Sequence, residues 1–419
     1  MNHNVIKKVI FDQHEVIRNS IIINRPEYEF DDNANYIVIG LRRSGKSTLL
    51  YRKALELVKN GISFNQIIYI NFEDDRLLEF NVNDFDDILE VASELTDKKK
   101  YYFFDEIQNI EGWERFARRM ADSKEFVYIT GSNAKMLSKE MAEKLGGRFL
   151  PKLVFPYSFK EYLKACDIDI NVSNKAIGTL NASLNNYLEY GGLPEIIQTN
   201  NKREYIRSVY SKVLLNDIIL HNNLRNENAI KLLVKKMAET VKDEMSFTKM
   251  HNILKSIGFS ISKDTVIDYV SFIINSYLVF DVKNYFMSFI DKESTPKYYF
   301  IDNGILNLFL NDKKGILLEN VVASYLKSKY FDDLYYIKSS KTGIDIDFFI
   351  PAKCAIQVTY SLEDVSKETF DREVNDLIKL NDSIDEKVEL IIITLDKSKT
   401  INAKNTTINV MNIVDFLTK

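Results

Sequence analysis

The 419-residue chain has only two cysteines, Cys166 and Cys354, and neither belongs to a CxxC or Cys/His ligand pattern. This excludes a disulfide framework and a cysteine-bound zinc site, and points to a reducing cytoplasm. An excess of one charge is also missing: 56 Lys and Arg stand against 60 Asp and Glu, a net charge of −4. No global basic field draws the chain to nucleic acid or an anionic membrane, so any DNA contact has to be local. Long apolar runs are absent too. The opening MNHNVIKKVIFDQHEV is broken by Lys, Asp, Gln, His and Glu, unlike a signal peptide. The most apolar later stretch, Val266 to Val282, carries Asp268, Ser271, Asn275 and Ser276. It falls short of the roughly 20 apolar residues of a membrane span. There is no internal repeat or low-complexity tract. What remains, 45% hydrophobic and 28% charged residues, describes a soluble globular chain long enough for several domains.

Residues 36–150 alternate short β-branched or aromatic runs with helical stretches, the pattern of a parallel α/β unit. Strands are expected at Tyr36–Ile39, Ile67–Asn71, Tyr101–Phe104 and Phe126–Thr130. Between the first and the following helix lies Gly40-Leu41-Arg42-Arg43-Ser44-Gly45-Lys46-Ser47-Thr48, which fits G-x-x-x-x-G-K-[ST] in the strand–loop–helix context that the motif requires. The glycines allow successive N–H groups to turn towards phosphate, and the helix N-terminus favours the anion. Lys46 reaches the terminal phosphates of ATP, and Ser47 ligates Mg²⁺. Asp105 leaves the C-terminal end of an apolar strand, where a P-loop NTPase holds its metal carboxylate. Glu106 is then placed to orient or deprotonate the attacking water. Ser132 and Asn133 follow another strand; they sense the γ-phosphate or cap the next helix.

Beyond Pro151 helical segments take over, broken at Gly191-Gly192-Leu193-Pro194. Residues 230–310 read as two amphipathic helices, a turn at Gly258-Phe259-Ser260, a third helix capped by Ser262, and two strand-like runs, the order of a winged helix. Val266, Ile267, Val270, Ile273 and Ile274 form the apolar face of that third helix, and its outward face bears Lys263, Asp264, Asp268 and Ser271. With acids there and no arginine in 230–310, protein packing and DNA binding remain equal alternatives. The last hundred residues begin with a helix, Leu317–Tyr330, and continue as strands Leu334–Ile337, Ile346–Ile350, Ala355–Tyr360 and Glu389–Thr394.

The two-arginine P-loop, YYFFDEIQNIEGWE, ITGSNAKML, GGRF, FPYSFKEYL and YLEYGGLPEII together resemble a prokaryotic AAA+ family whose members fuse this ATPase core to a C-terminal domain of unknown function. The resemblance implies an α/β fold: a P-loop AAA+ core with a parallel sheet at 1–155, a helical lid at 156–229, a winged helix at 230–312, and a domain similar to PD-(D/E)xK nucleases at 313–419. Arg148, in GGRF, resembles the family's arginine near the nucleotide, which implies a finger completing a neighbour's site; a surface ion pair is the alternative. In the terminal domain Glu319, Asp345 and Asp347 follow the nuclease layout, but Gln357 and Thr359 stand where the carboxylate and lysine belong, so no cleavage is expected. The expected reaction is ATP hydrolysis coupled to rearrangement of the appended domains on a protein or nucleic-acid partner, in a possible homo-oligomer without a membrane segment. The alternatives are a slow ATP-dependent switch, a DNA-binding module with little turnover, and a disfavoured ATP-gated nuclease.

Overall fold

Side chains alternate across a strand, so a strand that buries successive residues must be covered on both faces. The strands β1 (Asn35–Ile39), β2 (Ile67–Asn71), β3 (Tyr101–Asp105) and β4 (Phe126–Gly131) are of this kind. With β5 (Phe149–Leu153) they make a wholly parallel sheet in the order β2-β3-β4-β1-β5. Ile37, Ile39, Ile68, Ile70, Phe104 and Ile129 face one apolar core, and Tyr36, Val38, Tyr69, Phe103 and Tyr128 face another. The first core is closed by α1 (His3–Asn19), α3 (Phe85–Leu95) and α4 (Trp113–Asp122), and the second by α2 (Lys46–Lys59).

This computed structural model describes residues 1–419 apart from 138, 170–173, 223, 311–313, 364–365 and 404–405. The sheet belongs to one compact unit, Met1–Phe155 with Asn275–Tyr277; the second comprises Pro156–Ile274 with Leu278–Lys419. Among the described residues no helix is long and apolar enough to cross a membrane.

A short helix, α5 (Lys139–Lys144), completes the helices of the first unit. The second opens with α6 (Phe159–Ala165), α7 (Asn174–Tyr190) and α8 (Lys202–Lys212), which runs into a π-helical stretch, Val213–Leu220. Gly191 ends α7 at a φ of 75°, and a Cβ on it would lie 2.3 Å from the carboxylate of Asp302. A Cβ on Gly192 would lie 2.2 Å from the carbonyl oxygen of Tyr157, so the paired glycines permit a close backbone approach rather than merely ending a helix.

Asp302 accepts the Gly192 N–H at 2.8 Å and the Ile305 N–H at 3.2 Å, capping α13 (Asn303–Asn307). Burial pushes its carboxyl up from 3.8 to about 6 against these hydrogen bonds. The folded state therefore holds the proton after the unfolded chain has lost it. Stability falls as pH rises from about 4 through 6 and then levels off, by on the order of 3 kcal/mol. The melting temperature of the wild-type chain, measured relative to Asp302→Asn, is expected to drop between pH 4 and pH 7. A difference that stays constant over that interval contradicts this.

Three helices follow in sequence: α9 (Glu227–Glu239), α10 (Phe247–Ser256) and α11 (Lys263–Asn275). The Ser262 hydroxyl accepts the Thr265 N–H at 3.1 Å, as the sequence predicts. Helix α11 buries Val266, Tyr269, Val270 and Ile273, whereas Ile267 is 36% exposed. The apolar face is thus narrower than expected, because Ile267 lies about 100° round the helix from Val266. Strands β6 (Val279–Asn284) and β7 (Lys297–Phe300) form an antiparallel pair, with α12 (Phe289–Ser294) between them.

They share an eight-stranded sheet, in the order β12-β13-β11-β10-β9-β8-β6-β7, with β8 (Tyr335–Ser339), β9 (Ile344–Ile350), β10 (Cys354–Val358), β11 (Glu389–Thr394), β12 (Lys399–Ala403) and β13 (Thr406–Asn412). Helix α14 (Lys314–Tyr330) precedes β8, α15 (Lys367–Ser383) connects β10 to β11, and α16 (Ile413–Thr418) ends the chain.

Candidate nucleotide site

The ends of β1, β3 and β4 lie side by side: Ile39 is in register with Gly131, and Phe104 with Ile129. The loop after β1 therefore meets the acidic end of β3 at one sheet edge, where α/β folds bind ligands. Gly40 adopts a φ of 144°, and a Cβ on it would lie 2.2 Å from the Val154 carbonyl oxygen, so the loop leaves the sheet under the neighbouring backbone. Arg43 and Gly45 take left-handed conformations, φ 63° and 97°, which turn the chain into the first helical turn formed by Lys46, Ser47 and Thr48. The N–H groups of that turn have no partners within the helix. Ser44 is fully buried, and its hydroxyl has no hydrogen-bond partner among the described residues. A buried orphan of this kind inside an amide-lined loop suits an anion acceptor.

Lys46 is buried, and its ammonium donates to the carbonyls of Gly40 at 3.2 Å and Leu41 at 3.3 Å. It also lies 3.6 Å from the Glu106 carboxylate. Burial opposes ionisation of Glu106, but Lys46, Gln108 and Arg42 outweigh it and hold the carboxyl below the ordinary glutamate range. Gln108 donates to Glu106 at 2.5 Å, and Arg42 pairs with Glu73 at 2.8 Å. Glu106 itself sits in the left-handed region at a φ of 52°, its N–H bonded at 2.9 Å to the Thr130 hydroxyl.

Asp105 is 1% exposed. Tyr69 donates to it at 2.8 Å, the Thr130 hydroxyl donates to its other oxygen, and Ser47 hydrogen-bonds it as well. Burial, helped by the charge of Glu106, nevertheless pushes its carboxyl up. A carboxylate oriented from three sides yet destabilised as an anion is improved by a cation, and hydroxyl and carboxylate oxygens are the donors that Mg²⁺ prefers.

The structure thus brings Gly40 to Thr48, Asp105 and Glu106 to one edge. Asn133 lies at the same edge, but its Oδ1 accepts the Lys135 N–H at 2.8 Å, so it caps the following turn. Arg148 lies elsewhere in the sheet. It directly precedes β5, whose Phe149 is in register with Asn35 at the start of β1, so it stands at the opposite edge of a parallel sheet from the loop. It is 55% exposed and pairs with Asp122 at 2.9 Å, away from its own chain's phosphate loop. Tyr69, Thr130 and Gln108 are the site residues that the sequence reading missed.

A family profile for an AAA domain matches residues 32–163, and one for a domain of unknown function (DUF8612) matches residues 181–314. The chain is 32% identical over 389 residues to the uncharacterized protein MJ1544 of Methanocaldococcus jannaschii, covering 89% of this chain and 86% of the relative. An uncharacterized protein of Haemophilus influenzae is 30% identical over 338 residues, covering 77% and 80%. Among solved structures, the Walker-type ATPase PABY2304 of Pyrococcus abyssi matches 70% of this chain and 99% of its own at 14% identity, with a TM-score of 0.43. With an AAA domain around the loop and a relative 32% identical over most of both chains, the chain belongs to the same family as MJ1544 and carries an AAA domain at residues 32–163.

Proposed function

We propose that the chain binds ATP with Mg²⁺ and hydrolyses it at the edge formed by Gly40–Thr48, Asp105 and Glu106. The observation that carries this reading is Lys46, whose buried ammonium is shared between two loop carbonyls and the Glu106 carboxylate. A triphosphate lying in the loop offers that ammonium a stronger partner, and its transfer frees Glu106 to accept a proton from water. Ser47 and Asp105 would hold Mg²⁺, which would supply charge neutralisation at the terminal phosphates. The backbone N–H groups of the loop orient the phosphates, Leu41 to Ser44 shape it, and Thr48 continues the helix whose N-terminus faces the anion.

Within the same proposal, residues 1–155 form the ATPase core, 156–229 a lid, 230–312 a winged helix and 313–419 a nuclease-like domain without cleavage, in a cytoplasmic protein. Nucleotide state rearranges the appended domains on a protein or nucleic-acid partner. A second reading, a slow switch, is favoured by one feature: Glu106 is held by both Lys46 and Gln108, so the base is engaged before nucleotide arrives. Steady-state phosphate release separates the two. Sustained turnover with Mg²⁺ supports the hydrolase, and at most about one turnover per bound ATP supports the switch.

Asn133 is proposed to sense the γ-phosphate through its amide nitrogen, leaving its oxygen as the cap. Arg148, exposed at the far edge of the sheet, is proposed to act only on a neighbouring subunit. Arg148→Ala is then expected to lower turnover by a factor on the order of 10³ with ATP affinity kept. Mixing it with Lys46→Ala chains is expected to restore part of the activity, and no recovery at any ratio contradicts a shared site.

A further inference from the structure

The terminal domain gathers three carboxylates: Glu319 on α14, 1% exposed, Glu373 on α15, 7% exposed, and the half-buried Asp347 on β9. In the nuclease-like layout Glu319 and Asp347 would hold a divalent metal, but the residues present do not fit one. Both oxygens of Glu319 are taken, one by the Tyr299 hydroxyl at 2.9 Å and the other by the Lys242 ammonium at 2.6 Å. Asp347 accepts the Val358 N–H at 2.8 Å. Gln357 spends its amide on the backbone, accepting the Asp347 N–H at 2.9 Å and donating to the Asp345 carbonyl at 2.8 Å. It therefore ties β9 to β10 and offers no anionic ligand. The Thr359 hydroxyl donates to the Ser361 carbonyl at 3.3 Å, and Asp345 faces outward to Lys338 at 3.9 Å. Among the described residues no three carboxylate, imidazole or thiolate ligands converge in this domain.

The cation in the pocket arrives from elsewhere in the chain. Lys242 follows α9 and takes a φ of 89°, a left-handed conformation that is strained for a lysine and persists only where its surroundings hold it. They do so here. The Asp243 N–H bonds to the Thr240 carbonyl at 3.0 Å, and the Met245 N–H to the Pro296 carbonyl at 3.0 Å. Glu244 bridges to Lys297 in antiparallel fashion and accepts the Tyr336 hydroxyl at 2.9 Å. The strained turn is thus pinned to the sheet so as to aim Lys242 at a carboxylate with almost no exposure. The Lys242 side chain is itself 35% exposed, so it closes the pocket from the solvent side. Burial opposes its charge, but Glu319 and Asp347 outweigh that and raise its pKa. Lys297, 3% exposed with its ammonium over the Tyr336 ring at 4.8 Å, adds a second positive charge.

We infer that Lys242 is the built-in cation of this pocket: it stands in for the divalent metal of a nuclease-like site, fastens the turn after α9 to the terminal sheet, and keeps metal out until it is withdrawn. The inference rests on the nuclease-like reading of residues 313–419 proposed above and is independent of whether the chain hydrolyses ATP.

The test is Mn²⁺ binding to the full-length chain without nucleotide, read from loss of the free-ion paramagnetic signal. The wild-type chain is expected to show no uptake that depends on Glu319. Lys242→Met is expected to gain about one site per chain, at least about tenfold tighter than any wild-type uptake, and Lys242→Met/Glu319→Gln to lose it. Wild-type binding that Glu319→Gln removes overturns the inference, as does a folded Lys242→Met chain that gains no site. Should Lys242→Met fail to fold, the double variant is expected to fold and to melt within about 5 °C of wild type, because the uncompensated carboxylate is gone. A double variant that also fails to fold overturns the inference.

Discussion

Lys46→Ala is expected to lower ATP affinity by about 100-fold or more, because it removes the one ammonium that the loop aims at the phosphates, a contact worth about 3 kcal/mol. Arg42 and Arg43 do not replace it. Arg42 is paired with Glu73, and Arg43 serves the loop through its left-handed backbone. The same change leaves Glu106, 8% exposed, without its nearest cation. A lower melting temperature should therefore accompany the lost affinity, and Lys46→Ala/Glu106→Gln should recover the melting temperature without the affinity. Equilibrium titration with a fluorescent ATP analogue and a thermal melt read the two effects separately. Unchanged affinity would remove Lys46 from the site.

Glu106→Gln is expected to behave in the opposite way, retaining ATP and slowing turnover by on the order of 10³-fold. Glutamine keeps the shape and the contact with Gln108 but cannot accept a proton from water, so the phosphate contacts survive and the chemical step does not. It also relieves Lys46 of its competing carboxylate, which favours transfer of the ammonium to the phosphates. ATP affinity is therefore expected to stay equal or rise. Asp105→Asn differs from this, because Asp105 is bonded by Tyr69, Thr130 and Ser47, and a change there disturbs the loop as well as the metal.

Much of the site was legible because its parts are local. A strand, a glycine-bounded loop and a helix N-terminus are contiguous in Tyr36 to Tyr51, and the motif carries its own geometry. The acidic pair follows a run whose apolar stretch ends at Phe104, and the strand extends one residue further, to Asp105. Strand β5 was missed because Pro151 interrupts FLPKL. Yet β5 is an edge strand paired with β1 alone, where a missing N–H is tolerated. That strand also decides the place of Arg148, since a parallel strand has to start at the edge opposite the phosphate loop.

What escaped the sequence depends on register. Tyr69 lies two residues before Asn71, the partner of Asp105, and is thus a diagonal neighbour within reach of a tyrosine. Thr130 faces Asp105 only because β4 lies between β3 and β1, an order no local pattern encodes. Lys242 and Glu319 are further apart still, joined through a left-handed turn that no lysine signals. The absence of the carboxylate and lysine at Gln357 and Thr359 was visible in the sequence. The ammonium that fills the pocket was not.

The central claim is that one edge of the parallel sheet both binds ATP and cleaves it through Glu106. Its most direct test is the identity of the nucleotide that stays with the protein after incubation with labelled ATP and Mg²⁺ and rapid removal of free ligand. The wild-type chain is predicted to carry ADP and Glu106→Gln to carry intact ATP, while the same nucleotide on both proteins, whether ATP or ADP, would contradict the assignment.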